Sequence, residues 1–471
     1  MMPMNWTQLL STRRTKALWG EKSSTMIDGD PRSEFDRDFG RAAFSTPVRR
    51  LQDKAQVFPL EEHDAVRTRL THSLEVSSVA RSFGDAAEQF ALRRKDLETS
   101  RSGAIPAIAA TCGLIHDLGN PPFGHAGELA ISDWFRQQER LDSTFFDDFK
   151  PGDGQRKARE TQFALDFLNF EGNAQTLRLL ARLQVLADNY GLNLTCGTLS
   201  ASAKYVARSD TTDKANQPRK KHGFFASENE LVARMRGEVG SGEARNPIAF
   251  LVEASDDIVY STVDLEDGIK KRCMGWDFLE EELKKYDSEC LRRSLAKAKE
   301  KIEPAKLRGQ TRDEAMAVAF RTFAIAEMVA ATRRTFEAEY DKIMAGEYPY
   351  EILYKSDAGT LAESCKKIGR ENVYVSHEVL KREIMGREII FDLLNLYWET
   401  AKAFESGKDM KGFNRKIYDQ ISSNYRRIFE DNMNGGDGAP QKYFRMQLIT
   451  DQISGMTDSF AVKLHRELKN G

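Results

Sequence analysis

One stretch, residues 104 to 128 (AIPAIAATCGLIHDLGNPPFGHAGE), constrains the fold of this chain more than any other. Its apolar run ends in an adjacent imidazole and carboxylate, His116-Asp117, with Gly119 just beyond. It reads as a buried helix that stops at a metal-binding end. The remaining ligands must then come from segments distant in sequence. Elsewhere apolar residues recur at helical spacing, with no sustained period-2 alternation and no internal repeat. The expectation is a mostly α fold.

Residues 47 to 60 predict a short amphipathic helix and an extended exit at Phe58-Pro59. A longer helix is expected over 64 to 83, with Val66, Leu70, Leu74 and Val79 on its apolar face and Arg69, His72 and Val76 on the neighbouring stripe. A lone histidine in that position is more often structural than a ligand. After Pro121-Pro122 another helix begins, and its three-residue step puts His125 and Glu128 on one face. Helices follow over 160 to 170, 174 to 188 and 247 to 262, the last opened by Pro247. There Asp256, Tyr260 and Asp264 stand at i, i+4 and i+8 along one edge while Asp257 faces elsewhere, so Asp256 is the better candidate for a shared site. Residues 276 to 342 are helical and highly charged without obvious chemistry, and long amphipathic helices close the chain. Loops are expected at 142 to 158, 209 to 228, 237 to 247 and 432 to 441.

A net charge of -2 gives no global attraction to nucleic acid or membrane, and 40% hydrophobic with 30% charged residues suits an ordinary globular chain. The five cysteines form neither a C-x-x-C pair nor a disulfide framework, which favours a reducing compartment. No secretory signal is evident, and the run between Ile105 and Ile115 falls short of the about 20 apolar residues of a membrane span. The cytoplasm is the expected location. Residues 1 to 45, with arginines 13, 14, 32, 37 and 41 among acids, read as a surface-wrapping arm. Arg219-Lys220-Lys221, the densest basic run, reads as a solvated loop or, alternatively, as an anion or single-strand contact.

His72, His116, Asp117 and Asp256 together offer two imidazoles and two carboxylates, a donor set suited to Mn2+, Mg2+, Fe2+ or Zn2+. Four protein ligands on an octahedral ion leave two positions for water or substrate, an arrangement able to hydrolyse a phosphate ester. The His-Asp pair alone is weak evidence, because a capped buried helix without metal explains it better.

Longer motifs sharpen this. RRLQDKAQVFPL at 49 to 60, RTRLTHSLEV at 67 to 76, HDLGNPPFGHAGE at 116 to 128, EASDDIVYSTVDLEDG at 253 to 268 and DQISGMTD at 451 to 458 resemble the motifs of bacterial HD-domain deoxynucleoside triphosphate triphosphohydrolases, typified by the dGTP-cleaving enzymes. The resemblance implies an HD-domain helical core over 46 to 270, and a helical C-terminal region, 271 to 471, that completes the nucleotide site and oligomer contacts. It implies His72, His116, Asp117 and Asp256 as ligands of a divalent metal, Mn2+ or Mg2+ foremost, with Asp256 chosen over Asp257 because it stands four residues before the tyrosine. It implies His125 with Glu128 as the catalytic pair. By the same likeness Gln56, Val57, Tyr260 and Asp264 read the deoxyribose, and Arg69 meets the α-phosphate. Lys204, Tyr205 and Asn173 fall where phosphates are held; for Lys204 a plain surface ion pair is an equal reading. Glu383 resembles a position near the base, and Arg445 one that reaches a neighbouring subunit. The implied reaction converts a dNTP, dGTP foremost, to deoxynucleoside and triphosphate, in a homo-oligomer, favoured as a hexamer, open to a dNTP or single-stranded DNA effector. Residues 270 to 370 carry no matching motif. The competing readings are an HD phosphodiesterase acting on another nucleotide, and a nucleotide- or DNA-binding regulatory assembly.

Overall fold

The computed structural model describes residues 3–22, 29–151, 157–184, 188–405, 407–408, 410–435 and 438–470. Parts of the expected loops at 142 to 158 and 432 to 441, and the end of the helix expected over 174 to 188, lie outside them. Among the described residues the fold is helical, with three isolated β-bridges and no strand.

Nine helices position the site: α1 (Arg69–Arg94), α2 (Ala104–Ile115), α3 (Gly124–Leu141), α4 (Gly172–Ala181), α5 (Pro247–Lys270), α6 (Gly309–Met344), α7 (Gly359–Asn372), α8 (His377–Lys402) and α9 (Gln441–Ser454). Thr68 caps α1 by accepting from the Thr71 amide, so the helix starts later than its apolar pattern predicts and runs on to Lys95, where the backbone turns left-handed. The buried face also differs from the expected one. Val66 precedes the helix and Leu74 is 51% exposed, while His72, Ser73, Val76, Ser77 and Ala80 face inward. The reason is close packing by small residues. A Cβ on Gly113 would sit 2.7 Å from Ser77 Cα, and one on Gly84 would sit 2.6 Å from Pro106 Cα, so α1 and α2 meet almost backbone to backbone.

All residues of α2 are buried, as befits a helix apolar on every side. Its first amides are satisfied from α1, where Glu88 accepts from Gly103 and Ile105. Gly119, just beyond this helix, is not in the left-handed region. It is a close-approach glycine, whose Cβ would lie 2.2 Å from the Gly172 carbonyl and 2.3 Å from the Thr176 amide of α4.

Two apolar cores flank α2. One gathers α1, α5, α6 and α7 around Ile105 and Ile108; the other gathers α3, α4, α8 and α9 around Leu114 and Ile115. The functional residues collect where the two meet. Helices on both sides of residue 270 share the first core, because α5 packs against both α6 and α7. The N-terminal segment joins it too: Trp6 is fully buried and donates to the Tyr340 hydroxyl at 2.8 Å, and Arg14, 2% exposed, pairs with Asp38. It is therefore anchored in the core rather than wrapped over the surface, because a few apolar side chains in a polar stretch are enough to dock it. Helix α6 is long enough, and over one window apolar enough (mean hydropathy 1.4), to cross a membrane. Its Met316, Phe320, Ala324 and Met328 belong to the core shared with α5, so one face of this helix packs inside the protein.

Candidate active site

Three of the four expected ligands converge. His72 of α1, His116 at the end of α2 and Asp256 of α5 each offer one donor atom, all within 4.8 Å of one another. Asp256 Oδ1 lies 3.2 Å from His72 Nε2 and 3.5 Å from His116 Nε2. His116 Nδ1 donates to the Gly113 carbonyl at 2.8 Å, which in the neutral ring leaves Nε2 as the lone-pair nitrogen, and that atom is buried without a hydrogen-bond partner. An unpartnered imidazole nitrogen aimed at a carboxylate and a second imidazole fits a divalent cation. Asp117 adjoins the cluster, its Oδ2 3.5 Å from His116 Nε2 and ion-paired with Arg69.

Charge is dense here. Burial opposes protonation of His116, but the Asp117 and Asp256 carboxylates overcome it and push the imidazole up to about 9. Burial likewise opposes ionisation of both carboxylates. Asp117 is nevertheless lowered by His116 and Arg69, and Asp256 by Lys204 and His116. Lys204 Nζ stands 3.3 Å from Asp256 Oδ2, a partly buried ion pair on the cavity wall.

The second expected pair is also assembled. His125 Nδ1 donates to Glu128 Oε2 at 2.8 Å, and Glu128 Oε1 accepts the Gly172 amide, also at 2.8 Å, at the start of α4. A carboxylate tethered on both oxygens holds the imidazole and raises it through that hydrogen bond. The His125 side chain is 81% exposed and its carboxylate partner 10%.

Both groups border one cavity of about 500 Å3, whose wall includes Gln56, Val57, Arg69, Asn173, Lys204, Tyr205, Tyr260 and Glu383. Gln56 Oε1 is buried and unpartnered, Asn173 donates to Glu171 at 2.6 Å, and burial raises the Glu383 carboxyl. His72 lies behind the wall, fully buried. Asp264 is also behind it. Its carboxylate accepts the Tyr374 hydroxyl, and Tyr374 stacks on Tyr260 with centroids 5.9 Å apart, so the tyrosine takes the wall position expected of the acid. Arg445 points to the Phe404 carbonyl and does not border the cavity.

The wall has further members, of which only Lys220 and Lys221 were foreshadowed, as the alternative anion contact. Lys220 and Lys221 border the cavity, and Lys221, 43% exposed, pairs with Glu171 at 2.6 Å, while Arg219 pairs with Glu243 away from it, so this partly solvated loop turns two of its three cations toward the cavity. Lys366 and Arg370 of α7, with Tyr374 just after it, repeat the i, i+4, i+8 spacing of Asp256, Tyr260 and Asp264. That spacing was a usable signal. Lys366 Nζ lies 3.1 Å from the Tyr354 hydroxyl and 3.4 Å from Asp257, which therefore borders the cavity but faces away from the imidazoles.

Comparison with known proteins agrees with this geometry. The HD domain profile matches residues 69–190, spanning α1 to α4, and the phosphohydrolase-associated domain profile matches residues 415–467. Fold and site thus define an HD-domain hydrolase, a metal-dependent class. A deoxyguanosinetriphosphate triphosphohydrolase-like protein of Listeria innocua is 34% identical over 99% of both chains. A similarly named protein of Synechocystis is 32% identical over 99% of both. The deoxyguanosinetriphosphate triphosphohydrolase of Klebsiella pneumoniae subsp. pneumoniae is 31% identical over 92% of this chain and 93% of its own. The chain belongs to the deoxyguanosinetriphosphate triphosphohydrolase family.

Proposed function

We propose that this protein hydrolyses a deoxynucleoside triphosphate, dGTP foremost, to the deoxynucleoside and inorganic triphosphate. One observation carries the reading: the tethered His125–Glu128 pair and His116, Asp117 and Asp256 border the same cavity, with His72 directly behind the last three. His72, His116, Asp117 and Asp256 would hold a divalent cation, Mn2+ or Mg2+ before Fe2+ or Zn2+, whose charge supplies Lewis acidity toward the α-phosphate.

The chain's own groups do the rest. Water attacks the α-phosphorus, the bond to the 5′ oxygen breaks, and His125 Nε2 gives its proton to that departing oxygen while Glu128 holds Nδ1. Arg69, Lys204 and Lys221 line the wall as cations for the phosphate chain, beside Asn173 and Tyr205. At the sugar, the unpartnered Gln56 Oε1 is an acceptor for a 3′-hydroxyl, Val57 leaves no polar partner for a 2′-hydroxyl, and Tyr260 offers a stacking face. Glu383, on the same wall, is assigned to the base by the family likeness. The five cysteines are free, which suits the cytoplasm. A homo-oligomer, as a hexamer, under dNTP or single-stranded DNA control rests on the family likeness alone.

The test is product analysis. Purified protein with Mn2+ or Mg2+ should release intact triphosphate from dGTP, and release of orthophosphate alone rejects the reading. GTP cleaved as fast as dGTP favours the general phosphodiesterase instead.

A further inference from the structure

The motif DQISGMTD at 451 to 458 borders none of the cavity, yet its last residue reaches both loops that do. Asp458 is 1% exposed. One carboxylate oxygen accepts the Ala55 amide at 3.1 Å, the other the Phe123 amide at 3.0 Å. Ala55 immediately precedes Gln56-Val57, and Phe123 precedes Gly124-His125. A single rigid carboxylate therefore spans the sugar side and the proton-donating side of the site. Phe123 has φ +63°, a left-handed conformation that non-glycine residues rarely adopt, so its amide is held in an orientation the local chain would not choose. Lys54, 4% exposed, makes a second span over the same interval, donating to the Asn120 carbonyl at 2.5 Å and the Ser454 carbonyl at 2.8 Å.

We propose that Asp458 is a positioning residue that sets the spacing between Gln56-Val57 and His125, and through it the preference for 2′-deoxyribose over ribose. This rests on the reading of those loops given above. A carboxylate serving stability alone would, when altered, change the melting temperature and leave the choice of sugar untouched.

Asp458→Asn is the informative substitution. The amide has the same shape but keeps one acceptor and turns an N–H toward the other backbone N–H, so one span must open. Ala461→Gly is the control, because it weakens the same C-terminal helix at a fully buried site whose side chain makes no hydrogen bond to either loop. The readouts are kcat and KM for dGTP and GTP, the melting temperature, and hydrogen exchange of the Ala55 and Phe123 amides. For Asp458→Asn the dGTP-to-GTP ratio of kcat/KM falls by about ten-fold or more, the scale on which small misplacements near reacting groups act. One or both amides lose protection, while Ala461→Gly keeps the wild-type ratio. An unchanged ratio in Asp458→Asn, or an equal fall in Ala461→Gly, overturns the proposal. If the asparagine variant does not fold, Asp458→Glu, which keeps both acceptors but moves them outward by one methylene, is held to the same outcomes. Wild-type protein that cleaves neither nucleotide defeats the functional reading above. Exchange then judges the span independently, since fast exchange of both amides in wild type overturns it and protection lost in the variant supports it.

Discussion

His125 and Glu128 are joined Nδ1 to Oε2 at 2.8 Å, with the imidazole 81% exposed and the carboxylate 10%. The base of the pair is fixed while its proton-bearing end meets the cavity. Glu128, through its hydrogen bond and then its charge, raises the His125 imidazole.

Glu128→Gln therefore tests the proton donor. The amide oxygen can still accept from Gly172, but the charge that raises His125 is gone. A general acid is lost as pH rises through its pKa, so lowering that pKa moves the alkaline limb of the kcat–pH profile to lower pH. We expect kcat to fall by about 10²- to 10⁴-fold at neutral pH. A profile measured from pH 5 to 10 checks both effects, and a reduced kcat with an unmoved alkaline limb contradicts the assignment.

A metal held by His72, His116 and Asp256 should stabilise the fold as well as serve the reaction. Chelation should abolish turnover and Mn2+ restore it. Because the ion binds the native state, a concentration about 100 times its Kd should add about 2.7 kcal/mol to unfolding. Asp256→Asn should lose that increment, since it removes the carboxylate facing both imidazoles. Denaturant titrations with and without Mn2+ give the comparison, and equal stabilisation of variant and wild type places the ion elsewhere.

How much of this was legible in the sequence depended on whether the signal was local. His116-Asp117 stood out because an apolar run ended in two polar ligands, and Asp256 and Tyr260 because one helical edge carried both. The buried face of α1 did not, because serine, alanine and glycine mediate its contact with α2 and hydrophobicity ranks them below the exposed Leu74. Tyr374 displaced Asp264 from the wall through a contact across 110 residues, which no local pattern encodes. Lys221 read as solvent-facing because its partner, Glu171, lies in another segment. The end of α5 was underestimated for a related reason: its later acids, Glu266 and Asp267, pair with the distant Arg67 as well as with Lys270 of the same helix.

Tyr374→Phe should expose the balance at Asp264. Burial raises that carboxyl, and the Tyr374 hydroxyl counters it by donating to the carboxylate. Deleting the donor leaves a buried acceptor unsatisfied, a loss of about 1–3 kcal/mol. It also raises the folded-state pKa of Asp264 further above its unfolded value. Stability tied to a raised carboxyl is lost as pH rises through the folded pKa, so the variant's deficit should grow with increasing pH. Urea unfolding of both proteins across pH 5 to 9 checks the sign. A deficit that shrinks as pH rises contradicts it.

Two glycines allow a steric prediction with its own control. Gly119 lies where the His116-Asp117 segment meets α4, and a Cβ there would sit 2.2 Å from the Gly172 carbonyl and 2.3 Å from the Thr176 amide. Both obstacles are backbone, so Gly119→Ala must displace α4, including the Gly172 amide that tethers Glu128. Overpacking of this kind costs about 1–3 kcal/mol or more, and kcat should fall with it if the His125–Glu128 pair, which loses one of its anchors, serves as proposed. Gly40, within the helix Glu34–Ala43, has nothing within 4 Å of its added Cβ. Alanine at that position should stabilise by about 0.4–1 kcal/mol through the unfolded chain and leave kcat unchanged. Melting and turnover measured side by side for the two variants should move in opposite directions for stability and diverge for activity. If Gly119→Ala retains wild-type kcat, α4 is not what holds Glu128 in place.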